Sequence, residues 1–328
     1  MDLNGAVYHV ITRGINRGEI FRDDADREEF LRRMEIAIEE TGAKCYGWVL
    51  MPNHLHLIIR TGLKPLSDLL RKVLTGYAIY FNHKYQRSGY LYQNRYKSIL
   101  CQEDKYLLEL VRYIHLNPLR ARLVKDLAGL EKYEWSGHLG IIGKRNRGFQ
   151  TTGEILERFG RSRKEAVKRY WEYLEAGKDM GKREDLSGGG LRRSAGGWAG
   201  VRDLRKSKEY WRGDERILGE GDFVNAVLKK SEEEMVRKQR YKTLGITLER
   251  LVEKVCALES VEKKDLLRKG KANRISRAKE LLAYWGNKEL GISGREIGKY
   301  LGITRPAISR LIRNGEARAG KEALILTF

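Results

Sequence analysis

The chain has 328 residues, a length that suits two or three domains. Its 65 Lys and Arg outnumber its 44 Asp and Glu, and the formal net charge of +21 indicates a polyanionic partner, most often nucleic acid. No run of about 18 apolar residues and no signal-peptide pattern occur, so we expect a cytoplasmic protein without membrane spans. Three widely spread cysteines exclude a disulfide framework and a Cys-x-x-Cys metal site.

The first 140 residues alternate between strand-like and helix-like patterns. In chain order we predict strands over residues 6–12, 44–50 and 54–61, a short strand or loop over 90–100, and helices over 24–41, 66–84 and 103–117. Turn chemistry at Met51-Pro52-Asn53 predicts a hairpin between the second and third strands, and Pro118 ends the last helix. This order indicates an α+β fold, an antiparallel sheet with helices on one face.

The third predicted strand contains a pair of histidines two residues apart. Because strand side chains alternate faces, His54 and His56 point the same way, while Leu55 and Leu57 point the other way. Two imidazoles on one face of a strand make half of a metal site. The alternative is a pair of histidines that simply faces water on a half-exposed strand.

Tyr113 and Asn117 are candidates for the nucleophile and the third ligand. Tyr113 and Asn117 are four residues apart in the predicted helix, so they lie on one helical face. The amide oxygen of Asn117 suits a hard divalent ion such as Mg²⁺ or Mn²⁺, and Tyr113 can act as a covalent nucleophile. Tyr90 and Asn94 have the same spacing, but their turn-like surroundings disfavour a helix.

Aromatic and basic residues alternate after Gly89. Tyr90, Tyr92 and Tyr96, beside Arg95 and Lys97, suit base stacking next to backbone neutralisation on single-stranded DNA, although they could equally be core aromatics. We predict DNA contacts at Arg13, Arg95 and Lys97.

The pattern changes after about residue 140. Residues 141–212 predict a basic, glycine-rich linker with one helix over 161–176, and residues 213–328 predict a helical DNA-binding region. Within it, residues 293–314 fit a helix-turn-helix that has Ser293 and Thr304 as caps and Gly302 in the turn. The predicted duplex contacts from this motif are Arg305, Ser309 and Arg310.

Three segments together resemble a known family. They are Val49 to His56 (VLMPNHLH), Gly89 to Tyr96 (GYLYQNRY) and Tyr113 to Pro118 (YIHLNP). They are similar to the HUH-type single-tyrosine transposases, in the branch of REP-associated tyrosine transposases, over roughly residues 6–140. The appended helix-turn-helix departs from the shortest members of that family.

The resemblance implies a fold, a chemistry and roles for named residues. It implies a ferredoxin-like antiparallel sheet over residues 1–140, with His54, His56 and Asn117 as ligands of Mg²⁺ or Mn²⁺. Tyr113 would attack DNA, single-stranded or in a hairpin, and form a 5′-phosphotyrosine during strand transfer. A bacterial, nucleoid-associated protein, possibly a homodimer, is then expected.

Two other functions remain open. The chain could be a sequence-specific DNA-binding regulator whose transposase-like domain is inactive, or a zinc-stabilised structural domain. The intact set of His54, His56, Tyr113 and Asn117 favours the strand transferase over the regulator. The zinc-stabilised domain is the weaker alternative because the chain has no cysteine cluster.

Overall fold

The computed structural model describes residues 3, 5–62, 64–181, 183, 186, 214, 216–268 and 273–328. The chain divides into two compact units, Met1–Ala226 and Val227–Phe328. The triple-glycine part of the predicted linker lies outside the described residues.

A sheet organises the first unit. Its strands are β1 (Val7–Arg13), β2 (Lys44–Met51), β3 (His54–Arg60), β4 (Lys97–Cys101) and β5 (Ile217–Leu218). Its helices include α1 (Asp24–Thr41), α2 (Leu66–Leu70), α3 (Gly76–Lys84), α4 (Glu103–His115), α5 (Asn117–Arg120), α6 (Leu127–Leu130), α7 (His138–Ile142), α8 (Gly153–Leu156) and α9 (Arg163–Glu175).

The strand order is β2-β3-β1-β4-β5, and the first four strands are antiparallel neighbours. Each crossover, from β1 to β2 and from β3 to β4, skips one strand, which is the split βαβ arrangement of ferredoxin-like folds. The predicted fold class is therefore confirmed. The predicted hairpin is also present, because Met51 pairs with His54 across a two-residue turn.

One strand was not predicted. Ile217 and Leu218 pair in parallel with Leu100 and Cys101 at the edge of β4, in a segment for which the sequence predicts the start of a helical unit. The pairing covers backbone groups that an edge strand would otherwise expose. Two residues are too short a run for their period to be recognised in sequence.

Helices cover both faces of the sheet, whereas the sequence predicts one face. Ile58 and Ile99 lie in an apolar core with Leu110 of α4. The alternate strand residues, such as Val10 and Leu57, are equally buried. They face the side where α1 contacts β2 and packs with α3. A strand segment buried on both sides has apolar residues in succession, which explains Leu57, Ile58 and Ile59 of β3.

Two predicted helices are interrupted. The helix over 66–84 contains a π-helical turn at Arg71–Thr75 between α2 and α3. The helix over 103–117 ends at His115, and Asn117 begins α5. Pro118 has no backbone N–H and cannot continue the hydrogen-bond ladder, which explains the second break.

Residues after the predicted boundary at 140 pack into the first unit. Tyr170 and Leu174 of α9 are fully buried in the same core as Leu110 and Ile114. Helix α9 matches the predicted helix over 161–176, and Ser162 caps it through the backbone N–H of Glu165. The compact unit thus extends beyond the segment predicted to carry the catalytic residues.

A buried polar cluster lies in this core. The Tyr170 hydroxyl is 2.8 Å from Nδ1 of His115 and 2.9 Å from Nδ1 of His138. Burial lowers the pKa of both imidazoles, to about 4 for His138, where the Lys144 cation also lowers it and Glu131 raises it. Both histidines are therefore neutral at physiological pH.

We expect His138 to make the first unit sensitive to acid. Its folded pKa of about 4 lies below its ordinary value of 6.5, so the folded state binds fewer protons than the unfolded state. Its contribution is complete above pH 6.5 and is lost as the pH falls toward 4. Between pH 7 and pH 5 the loss should be about 2 kcal/mol of unfolding free energy.

Urea unfolding at the two pH values measures this loss. The His138→Leu variant starts from a lower stability at pH 7, but its free energy of unfolding should fall by about 2 kcal/mol less on acidification. An equal fall in the variant and the wild type would contradict the assignment.

The second unit is helical in its described part. Its elements are α10 (Gly221–Thr243), which begins in the first unit, α11 (Leu248–Glu259), α12 (Asn273–Tyr284), α13 (Gly294–Leu301) and α14 (Arg305–Lys321). Ser293 caps α13 through the Glu296 N–H, and Gly302 ends it with a φ of 63°. Helices at the predicted positions are thus present, with α14 extending past residue 314, while DNA reading by them stays a prediction. None of the described helices is long and apolar enough to cross a membrane.

Candidate active site

Three histidines lie on one face of the sheet. In the β1–β3 register, His54 is opposite Arg13 and His56 is opposite Ile11, so these residues share a face. His9, two residues before Ile11, shares it too. Sequence reasoning found His54 and His56 but missed His9. The alternating pattern of β1 was visible in the sequence and could have suggested His9. The pairing of β1 with β3, which brings His9 to His56, was not visible there.

Each imidazole is held at Nδ1. Nδ1 of His56 is 2.9 Å from Nε2 of His9, and Nδ1 of His9 is 3.0 Å from the Leu186 carbonyl oxygen. Nδ1 of His54 is 2.7 Å from Oδ1 of Asn53. The Nε2 atoms of His54 and His56 thus remain for a ligand.

The histidines are neutral because they are removed from water. Burial lowers the pKa of His9 and of His54 to about 4, and that of His56 well below its ordinary value. The Arg13 cation lowers the pKa of His54 and His56 further. A neutral imidazole is the form that binds a metal ion.

Helix α4 places Tyr113 against this face. The Tyr113 ring is edge-on to His56, with 5.9 Å between ring centroids, and only 6% of the residue is exposed. The structure therefore brings together the predicted nucleophile and one predicted ligand. The alternative Tyr90 is 83% exposed and lies outside any helix, so its spacing to Asn94 defines no helical face.

Arg120 is a site residue that sequence reasoning missed. Its guanidinium lies 5.0 Å from the centroid of the Tyr113 ring, and its Nη1 donates to the Tyr113 carbonyl over 2.8 Å. Burial lowers the pKa of Arg120, yet an arginine keeps its charge at neutral pH. This cation can stabilise negative charge that develops near the phenol.

Asn117 follows in the next helix. It is buried, and its Nδ2 has no hydrogen-bond partner in the described structure. Because Nδ2 is a donor, the group that would satisfy it is an acceptor such as a phosphate oxygen, whereas a cation would bind Oδ1.

The predicted donor set has the chemistry that a divalent ion prefers. No cluster of three His, Cys, Asp or Glu side chains suited to a metal occurs in the part of the chain that the structure describes. A cation would instead depend on the neutral imidazoles of His54 and His56 and on the predicted third ligand, the Asn117 amide oxygen, and such a set would leave coordination positions for phosphate oxygens.

The predicted DNA contacts fall in two regions. In the first unit Arg13, Arg95 and Lys97 are exposed, and Lys97 pairs with Ile11 on the histidine face. In the second unit Ser309 and Arg310 are exposed on α14, whereas the side chain of Arg305 lies outside the described residues.

Residues 3–117 match the family model described as "Transposase IS200 like". A solved structure of a REP-associated tyrosine transposase bound to a REP hairpin is similar at 17% identity and a TM-score of 0.37, over 46% of this chain and 86% of that chain. The search of curated proteins gives no match. Over residues 3–117 the chain is therefore similar to the IS200-like transposases.

Proposed function

We propose that the chain cuts and rejoins DNA strands through a covalent bond to Tyr113, with Mg²⁺ or Mn²⁺ held by His54, His56 and Asn117. The observation that carries the proposal is the 5.9 Å edge-on contact between Tyr113 and His56 on the histidine face. A nucleophile beside a pair of neutral imidazoles is the arrangement that metal-assisted attack on a phosphate requires.

The chain's own residues perform the transfer. The Tyr113 oxygen attacks phosphorus, the bond to the 3′ oxygen breaks, and the phenol proton ends on that oxygen, which leaves as a 3′-hydroxyl. Arg120 stabilises the developing negative charge on the phenol oxygen. When bound, the divalent ion polarises the scissile phosphate. A second 3′-hydroxyl reverses the step by attacking the 5′-phosphotyrosine, which restores the phenol and joins two strands.

Limited access to Tyr113 favours a single-stranded substrate at this site. Arg13 and Lys97 lie on the histidine face, where they can neutralise backbone phosphates beside the scissile one. Tyr113 is almost fully buried, so the reacting phosphate has to reach the face of the sheet. A strand free of its complement, or one beside a hairpin, can approach more closely than a duplex.

The test uses the full chain and end-labelled single-stranded DNA hairpins from the flanks of its own gene. In Mg²⁺ or Mn²⁺ we expect a labelled adduct that survives denaturing electrophoresis, and none in EDTA. If no adduct forms while the protein binds duplex DNA sequence-specifically, the regulator alternative replaces this proposal.

We also propose that α14 reads duplex DNA, because Ser309 and Arg310 are exposed on it. Arg310→Ala should relax sequence preference at one base pair by about 1–3 kcal/mol. Arg295→Ala, which removes an exposed cation from α13, is the matched control and should weaken binding to all sequences alike, if at all. Fluorescence anisotropy with specific and scrambled duplexes measures both, and equal behaviour of the two variants would contradict the assignment.

A further inference from the structure

We infer that His9 is a positioning residue, which holds His56 in the tautomer whose lone pair is on Nε2. The inference deepens the proposed function, because it matters only if His56 binds a metal ion. It starts from the contacts that link His56 to His9 and His9 to the Leu186 carbonyl.

The direction of these hydrogen bonds follows from their end point. A carbonyl oxygen only accepts, so Nδ1 of His9 must carry the proton that is donated to Leu186. His9 is completely buried, and its Nδ1 proton already satisfies the Leu186 carbonyl, so a second proton would place an unpaired charge away from water. Nε2 of His9 is therefore an acceptor.

His56 has to supply the matching donor. Nδ1 of His56, 2.9 Å from that acceptor, carries the proton, and its Nε2 keeps the lone pair. The backbone carbonyl of Leu186 thus sets, through one intervening imidazole, the tautomer of the predicted ligand. The two rings are nearly coplanar, with 21° between their planes and 5.1 Å between centroids, as an in-plane hydrogen bond between imidazoles requires, and this fixes the orientation of the His56 ring.

His54 is set in the same way by a different partner. Nδ2 of Asn53 donates to the Arg17 carbonyl over 3.1 Å, which turns Oδ1 of Asn53 toward Nδ1 of His54. An amide oxygen accepts, so Nδ1 of His54 is the donor and its Nε2 is unprotonated. Two separate relays, each ending on a backbone carbonyl, therefore leave both ligands with a lone pair on the same nitrogen.

The functional consequence is pre-organisation. A partner on the second ring nitrogen fixes the tautomer and raises the basicity of a ligand histidine, and its loss typically weakens metal binding about 10–100-fold. Glutamine can make both hydrogen bonds of His9, because its amide oxygen can accept from Nδ1 of His56 while its NH₂ group donates to the Leu186 carbonyl oxygen. Leucine can do neither.

The test compares wild type, His9→Gln and His9→Leu in two measurements. Nitrogen-15 NMR of the histidine rings, in the metal-free protein at pH 7.5, should show Nδ1–H on His9, His54 and His56 in the wild type. Calorimetric titration with Mn²⁺ alone should give about 10–100-fold weaker binding for His9→Leu and binding within about 3-fold of wild type for His9→Gln. The His54 tautomer should not change in either variant.

The outcomes distinguish a failure of the His9 relay from a failure of the proposed metal site. A wild-type His56 that carries its proton on Nε2 overturns the relay even if His9→Leu does not fold. Equal Mn²⁺ affinity in wild type and a folded His9→Leu also overturns it. If the wild type has the expected tautomers but binds no Mn²⁺, the relay stands as a structural feature and the proposed metal site is wrong.

Discussion

Tyr113→Phe should abolish the covalent adduct with single-stranded hairpin DNA and leave non-covalent binding of the same DNA within about 2-fold of wild type. The substitution removes the oxygen that would attack phosphorus. It keeps the ring that contacts His56 and lies beneath the Arg120 guanidinium, so the packing of α4 on the sheet is retained. Denaturing electrophoresis measures the adduct, and anisotropy at fixed salt measures binding, which is necessary because affinity for DNA depends strongly on salt.

Tyr90→Phe is the matched control for this variant. Tyr90 has the same side chain and the same spacing to an asparagine, but it is exposed and outside any helix. We expect it to form the adduct at the wild-type level. An adduct that persists in Tyr113→Phe and disappears in Tyr90→Phe would move the nucleophile to the second tyrosine.

Local patterns in the sequence account for much of the first unit. Gly42 ends α1 with a φ of 63°, as a C-terminal cap requires, and the two-residue turn between Met51 and His54 follows from proline and asparagine turn chemistry. The period of two in β3 placed His54 and His56 on one face. These features depend on residues close together in the chain, so they can be predicted without knowledge of the fold.

The parts of the site that were missed depend on pairing between distant segments. His9 meets His56 because β1 pairs with β3, and Leu186 reaches His9 from 177 residues away. Arg120 lies beyond the proline that ends the predicted helix, yet the short α5 returns its guanidinium to Tyr113. Sequence spacing carries no information about such contacts until the strand register and the helix break are known.

Domain extent was harder to predict for a related reason. Basic loops after residue 140 have the composition of a linker, but α9 contributes Tyr170 and Leu174 to the same core as α4. The helical period of α9 was visible in the sequence, whereas the surface that it covers was not. An apolar stripe along a helix indicates that another element packs against it, but it does not show which element that is.

His54→Ala should abolish DNA cleavage and weaken Mn²⁺ binding by more than the ~10–100-fold that is typical of losing a residue that only hydrogen-bonds a ligand. Removing the imidazole removes the Nε2 lone pair proposed to bind the ion. His54 is the better test of the two ligands because it is partly exposed and its Nδ1 partner, Asn53, also bonds the Arg17 carbonyl. The unfolding temperature should therefore change little.

His56→Ala should lose the same activity with a larger loss of stability. It leaves Nε2 of the fully buried His9 without its hydrogen bond to His56, which costs about 1–3 kcal/mol. His83→Ala, which removes an exposed histidine on α3, is the control and should match wild type in cleavage, Mn²⁺ affinity and unfolding temperature. If His54→Ala keeps wild-type Mn²⁺ affinity while cleavage is lost, His54 acts on DNA and not on the metal ion. The proposed ligand set would then be wrong, even with Tyr113 as the nucleophile.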